Sequence, residues 1–313
     1  PTVPLDPRLS SATGRGVCVS YRTPAYHAAM RYRLIAIDLD GTLLCPQGLA
    51  SDENLAAMHA AHEQGVHVLP CTGRGWREAR RAIQGLPDAE LGIFNTGALV
   101  CRTADGATID AAPMGRDTVA ALIDLLRDRE QAVLLYTDPA QTGLEYIATG
   151  DGAMTDNTRW WFEHNDLRYT ETQTPDTEML DHIVRVGLVL PSADAPAILQ
   201  QVRDRFADTV EAHAFEAVLR SGEAPMSILE VFGAGVTKWR GIEAVAHRLG
   251  ITDAEVAVIG DEVNDLPMFR RAGCAVAMEN AIPEIKDAAH RLTRCNATHG
   301  VAHAIDQMLA GAW

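Results

Sequence analysis

From Leu34 onward short apolar runs of strand length alternate with amphipathic stretches of helix length, and few folds tolerate that rhythm. It predicts strand–helix–strand units whose strands lie parallel in one sheet. The first strand is expected over 34–39. Ser51, Asp52 and Glu53 have the chemistry of a helix start, Leu55 and Met58 supply its apolar face, and Gly65 its stop. A second strand over 66–71, a helix carrying Trp76, Ala79 and Ile83, and a third strand over 91–94 closing on Gly97 complete a half-domain. The rhythm returns late, with strands over 228–232, 256–259 and 274–277 and one helix face made by Trp239, Ile242, Val245 and Leu249. The expected fold class is therefore α/β, a doubly wound, Rossmann-like parallel sheet.

The middle of the chain interrupts this pattern with helices around 119–126 and 198–206 and strands around 133–136 and 184–190. With 313 residues available, an inserted second domain is the economical reading. The expected division is core over 30–112, insertion over 113–218 and core again over 219–313. Residues 1–29, rich in Pro, Ser, Gly and Ala and without a period, read as a disordered extension or as sequence upstream of the true start.

Charge narrows the partners. Asp plus Glu number 42 against 27 Lys plus Arg, for a net charge of −15, which argues against a nucleic-acid backbone or an anionic membrane surface. No apolar run approaches the roughly 20 residues that span a bilayer, and the chain does not open on a secretory signal, so a cytoplasmic protein is expected. Its six cysteines form no Cys-x-x-Cys and no dense framework, which suits reduced thiols. Only two of the basic residues are lysines, Lys238 and Lys286.

In open parallel sheets functional groups collect at the carboxyl ends of the strands, and four segments fall there. Asp38 and Asp40 close the first strand, followed by Gly41 for a sharp turn and Thr42 for a local hydrogen bond. Two carboxylates at this spacing repel unless a cation or a shared proton intervenes. Magnesium suits an all-oxygen site; a calcium EF-hand needs further acids where Thr42, Leu43, Leu44 and Cys45 stand. Thr72-Gly73-Arg74 follows the second strand, where a hydroxyl and free amides can hold phosphate oxygens, although strands often end in Thr-Gly for turn reasons alone. Lys238 opens a helix after a glycine-rich loop that has neither dinucleotide nor nucleoside-triphosphate spacing. Gly260-Asp261-Glu262-Val263-Asn264-Asp265 ends the 256–259 strand; acids there also suit a helix dipole.

Together these four segments resemble the motifs of the haloacid-dehalogenase (HAD) superfamily of phosphohydrolases, in order and from Met30 to the C-terminus. Asp38-Leu39-Asp40-Gly41-Thr42-Leu43 resembles the first motif, Thr72 the second, Lys238 the third, and Gly260-Asp261 with Asn264-Asp265 the fourth. Asp40 and Thr72 lie 32 positions apart, Thr72 and Lys238 166, so the insertion falls after the second motif. That placement resembles the large-cap (type IIB), Cof-like sugar phosphatases, in which an α/β cap covers the site. One departure is Asn95-Thr96-Gly97-Ala98, where that branch reads Asn-Gly-Ala.

The resemblance implies that Asp38 attacks phosphorus to form an aspartyl-phosphate, with Asp40 as general acid and then base. It implies magnesium held by Asp38, the Asp40 carbonyl and Asp261, and phosphate held by Thr72, Gly73, Lys238 and Asn264. Asp265 would orient Lys238 or a metal-bound water. Arg74 is a candidate contact to substrate or cap. The implied activity is hydrolysis of a small phosphomonoester, a sugar phosphate by that branch's habit, by a monomer or homodimer; the alternatives are a phosphotransferase or phosphomutase, and a non-catalytic phosphometabolite-binding protein.

Weaker signals favour structural roles. Trp160, Trp161, Phe162 and Tyr169 suit core packing over substrate contact, and Trp76 suits a packed helix face. Cys45 and Cys71 read as inert strand-end thiols. His59 with His62, and His299 with His303, lack a third zinc ligand. Lys286 reads as surface, and the Asn296-Ala297-Thr298 sequon as meaningless in a cytoplasmic chain.

Overall fold

The computed structural model describes residues 31–87, 91–217 and 225–313; the expected 1–29 extension and the expected boundary at 218/219 lie outside them. A five-stranded parallel sheet runs in the order Arg291–Leu292, Cys274–Ala277, Val256–Gly260, Leu34–Ile37, His67–Pro70. Leu34 is in register with both Val256 and His67. All four residues of Leu34–Ile37 are buried, as expected for a central parallel strand covered on both faces. Helix Asp52–Glu63 starts where Ser51 Oγ accepts from the Asn54 amide at 3.2 Å, and it packs against Gly300–Leu309. Buried Asn54 ties the two: its Nδ2 donates to Leu43 O (3.2 Å) and its Oδ1 accepts from the Ala302 amide (2.9 Å).

Strand Leu91–Phe94 is not a full member of this sheet. It meets it through one bridge, Cys71 to Ile93, and otherwise forms an antiparallel three-stranded sheet with Leu99–Arg102 and Thr108–Ala111. The short turn after Phe94 sends the chain straight back, which selects hairpin pairing over a crossover.

The insertion is built on a six-stranded sheet in the order Val210–Glu216, Met226–Gly233, Ile183–Pro191, Val133–Thr137, Tyr146–Thr149, Tyr169–Glu171. All its pairings are antiparallel except the last. Helices Arg116–Leu126 and Ala195–Phe206 bury Val119, Leu122, Ile198 and Val202 in one cluster with Leu135, Val186, Leu188 and Leu229. Side chains alternate along a strand, so Leu134, Tyr136, Arg185, Gly187 and Glu230 occupy the opposite face.

The 228–232 run, read as a strand of the parallel sheet, belongs here instead: Met226–Gly233 pairs with the strands on either side of it in this antiparallel sheet. The parallel-sheet half of the chain therefore resumes after Gly233, later than the expected 219. Glu230 is the physical reason. Strands buried on both faces are apolar throughout, and a charge at mid-strand marks one that borders a cavity. Among the described residues no helix is long and apolar enough to cross a membrane.

Candidate active site

Asp38 directly follows the central strand, and its amide donates to Ile259 O at 3.0 Å, continuing the parallel ladder by one bond. The next residues cannot continue it, because Gly41 turns with φ of 78°. A Cβ there would stand 2.1 Å from Asp261 Oδ2, so the missing side chain is what lets the two acidic segments meet. Thr42 Oγ1 donates to Asp261 Oδ1 at 2.5 Å, and Asn280 Nδ2 donates to Gly41 O at 2.8 Å.

Lys238 is wholly buried beneath this corner. Its Nζ donates to Asp38 Oδ1 at 2.5 Å and Asp265 Oδ1 at 2.6 Å. Burial disfavours the ammonium, but Asp265 and Asp38 outweigh it and hold Lys238 protonated. Asp265 spends its other oxygen on the amides of Asp261 (2.8 Å) and Glu262 (3.1 Å), which fixes the turn after Val256–Gly260. Burial pushes the Asp38 carboxyl well above the ordinary carboxylate range; Lys238 pulls it down while Asp265, Asp261 and Asp40 push it further up. Burial likewise pushes Asp261 up to about 6, against the hydrogen bond from Thr42.

Asp38, Asp261 and Asp265 bring carboxylate oxygens within 4.8 Å of one another, the one such acidic cluster among the described residues. Asp265 is already committed to Lys238 and two amides. Asp38 and Asp261 remain as the donors with capacity to spare, and hard oxygen donors in a cradle opened by a glycine fit a divalent cation.

Asp40 stands at the rim with its carboxylate exposed, and Arg74 grips it in a fork, Nε to Oδ2 at 2.8 Å and Nη2 to Oδ1 at 2.5 Å. The Arg74 guanidinium also lies 5.9 Å from the ring centre of Trp161, in the cap. Thr72 is buried at the strand end and its Oγ1 accepts from the Arg74 amide at 3.1 Å. Gly73 faces Asn264, whose Nδ2 is 3.8 Å from where a Cβ would sit. Asp38, Asp40, Thr72, Gly73, Arg74, Asp261 and Asn264 line one cavity of about 520 Å³, with Lys238 and Asp265 behind the wall. Every residue singled out at the strand ends thus converges on one corner.

The Asn95-Thr96-Gly97-Ala98 departure has a visible role. Asn95 and Thr96 take left-handed φ of 47° and 55°, costly for residues with a side chain. Gly97 follows at 92°, and a Cβ on it would fall 1.9 Å from Thr237 O, the residue before Lys238. A Cβ on Gly241 would likewise stand 2.5 Å from Ile93 Cγ2 and 3.1 Å from Gly97 Cα. This tight contact seats the helix Lys238–Leu249 and therefore its first side chain. Gly97→Ala is expected to lower kcat by roughly 10²-fold, the effect of about 1 Å of misplacement, although it removes no reacting group; single-turnover kinetics would check it.

Sequence reasoning missed the cap side. Buried Arg185 donates to Glu230 (2.5 Å), to Tyr146 Oη and to Gly73 O (3.4 Å). Glu78 accepts from Tyr146 Oη (2.9 Å), Trp161 Nε1 (3.2 Å) and the Gly75 amide (2.6 Å). The available signal was a charge set within otherwise apolar strands, Val-Arg-Val and Leu-Glu-Val. Phe162 is buried and stacks on Tyr146 at 4.5 Å, yet both it and Trp161 line the cavity, so packing and cavity-facing roles coincide. Trp76 packs, with its Nε1 on Thr103 O. The histidine pairs disperse: His59 bonds Gly85 O, His299 pairs with Ser51 and His303 with Thr293. Burial raises the Cys71 thiol far above its ordinary value, and Lys286 is exposed.

The sequence profile described as haloacid dehalogenase-like hydrolase matches residues 35–305. The chain belongs to this family. It is 30% identical over 286 residues to the phosphatase-named protein YxeH of Bacillus subtilis, covering 89% of this chain and 98% of that one. It is 29% identical over 298 residues to the 5-amino-6-(5-phospho-D-ribitylamino)uracil phosphatase YwtE of the same organism, covering 90% and 99%. A solved haloacid dehalogenase-like hydrolase from Bacteroides thetaiotaomicron superposes with a TM-score of 0.70 at 23% identity, covering 88% of this chain and 99% of its own. A subclass IIB sugar phosphatase of the superfamily superposes with a TM-score of 0.67 at 17% identity, covering 88% and 98%. The fold, cap included, is that of this hydrolase family, and the chain is accordingly an enzyme.

Proposed function

We propose that this hydrolase is a magnesium-dependent phosphatase of small phosphomonoesters, sugar phosphates among them, working in the cytoplasm through an aspartyl-phosphate on Asp38. The observation that carries the reading is Lys238 Nζ seated between Asp38 and Asp265 behind the cavity wall that Asp38 lines. A fixed cation beside a carboxylate favours its ionised form against the burial that raises its pKa, and offers charge to a phosphoryl group arriving above it. Phosphatases among the relatives, YwtE included, support the same reaction class.

Asp38 supplies the oxygen that bonds phosphorus; the leaving oxygen takes a proton from Asp40, which then takes one from the attacking water. In its fork with Arg74 the Asp40 carboxylate is held at the rim, and contact with the leaving group requires that fork to loosen. Thr72 and Gly73 offer a hydroxyl and an amide to the phosphoryl oxygens, and Asn264 an amide group opposite. A bound magnesium, held by Asp38, Asp261 and the Asp40 carbonyl, would supply charge neutralisation on the phosphate. The division into core and cap runs, in this reading, near residues 112 and 233, with the cap closing the site from water.

Phosphate release from a panel of metabolite monoesters with and without magnesium tests the reading; no release from any ester sinks it. A second measurement does not need turnover. Magnesium at about 100 times its Kd is expected to stabilise the protein by about 2.7 kcal/mol, and Asp261→Asn to abolish that response. A melting temperature indifferent to magnesium in the unsubstituted protein would remove the metal from the scheme.

A further inference from the structure

On the cavity face of the cap sheet one position lacks a side chain. Gly187 lies mid-strand in Ile183–Pro191, paired across to Glu230 on one side and Leu134 on the other, with Arg185 and Val189 two residues away along its own strand. All four neighbours line the cavity, as does Gly187 itself. Glycine weakens a strand interior, and it is retained where something approaches the backbone closely; a Cβ here would stand 3.0 Å from Leu229 O of the neighbouring strand, and the bare Cα also leaves the cavity face without a side chain. What its four framing side chains leave open is a notch floored by flat main chain.

The chemistry around the notch is specific. Both arginines lining the cavity, among the described residues, are already paired: Arg74 with Asp40, and Arg185 with Glu230 and Tyr146. His213, cross-strand from Glu230, is held toward its neutral form by burial. Glu78, Glu216 and Glu262 add further acids to the wall. Arg185, the cation beside Gly187, is already engaged by Glu230 and Tyr146, so a carboxylate brought against this strand would face Glu230 with its partner cation taken. Aromatic rings, Trp161, Phe162 and Phe215, supply flat apolar surface in the same cavity.

We propose that the notch over Gly187 seats the leaving group, and that it selects a flat, uncharged ring with hydrogen-bonding edges over a leaving group bearing a second negative charge. The ring lies against the Gly187 backbone, its edge facing the Arg185–Glu230 pair, with the phosphate directed at Asp38. This rests on the phosphomonoester hydrolysis proposed above and names the substrate class for it.

Three probes test it: acetyl phosphate, which has no ring, benzyl phosphate, and 4-carboxybenzyl phosphate, which adds one charge to the same ring. In Gly187→Val the ratio of kcat/KM for benzyl over acetyl phosphate is expected to fall about tenfold or more, since a filled pocket rejects what it held. An unchanged ratio overturns the notch. The unsubstituted enzyme is expected to favour benzyl over 4-carboxybenzyl phosphate by about tenfold, and Glu230→Gln to bring that preference to about unity, because a like charge has gone. No preference in the unsubstituted enzyme, or one that survives Glu230→Gln, overturns the charge argument; this arm stands even if Gly187→Val does not fold. Calorimetric binding of acetyl, benzyl and 4-carboxybenzyl phosphate to Asp38→Asn separates the two proposals. Ring-selective binding without any phosphate release in the parent supports the notch and rejects the hydrolase, whereas hydrolysis with no selectivity among the probes does the reverse.

Discussion

Asp38→Asn is expected to lower phosphate release by at least about 10⁴-fold, the scale seen when a nucleophile is removed from a site that otherwise survives, while leaving the fold intact. The side chain keeps its shape, and the amide is a far poorer nucleophile than the carboxylate. The surroundings make the variant unusually clean. Burial pushes the Asp38 carboxyl above its ordinary range, so the native charge is held at a cost that the amide does not carry. Lys238 retains Asp265 as its counter-ion at 2.6 Å. The melting temperature should therefore hold or rise without added metal. Retained turnover in a folded Asp38→Asn protein would remove Asp38 from the role of nucleophile.

Lys238→Met is expected to behave differently, losing both activity and stability. Removing a preorganised donor to the transferring phosphoryl group costs on the order of 10² or more in kcat. The structural loss is as large: the ammonium is fully buried between two carboxylates with little solvent access, and deleting one partner of such a buried set costs about 3–5 kcal/mol. Arginine is not expected to rescue it, because a planar fork does not fit where one nitrogen meets Asp38 and Asp265 at 2.5 and 2.6 Å. Denaturant unfolding beside phosphate release would check both halves. A kcat loss under about tenfold would mean that Lys238 holds the fold and not the phosphate.

Much of this corner was legible in the chain because parallel sheets gather chemistry at strand ends. Asp38, Thr72 and Asp261 each follow an apolar run, and one of only two lysines stands at a helix start among many arginines. What periodicity could not encode was pairing. It marks 228–232 as a strand, yet it carries nothing about whether the neighbour across the ladder is parallel or antiparallel; Glu230 was the one local clue. The contact of Lys238 with Asp38 spans 200 positions, and family resemblance, not spacing, joined them in advance. The fork of Arg74 on Asp40 and the commitment of both Asp265 oxygens are likewise products of three-dimensional closure. So is the crowding at Gly97, whose bare Cα, besides allowing its φ of 92°, makes room for Thr237 arriving from far along the chain.

Glu78 has a mechanical consequence. It sits one turn beyond Thr72-Gly73-Arg74 and holds three donors, two of which, Tyr146 and Trp161, belong to the cap. Lifting the cap would strip those two donors from a buried carboxylate, at about 1.5–3 kcal/mol for each hydrogen bond to a charged group. Arg185 pulls on the same turn through Gly73 O. On the proposed phosphatase reading the cap would then be a sprung cover and not a loose one: each opening would tug on the loop carrying Thr72 and Gly73, so that escape of the product and loosening of its grip would be coupled into a single stroke.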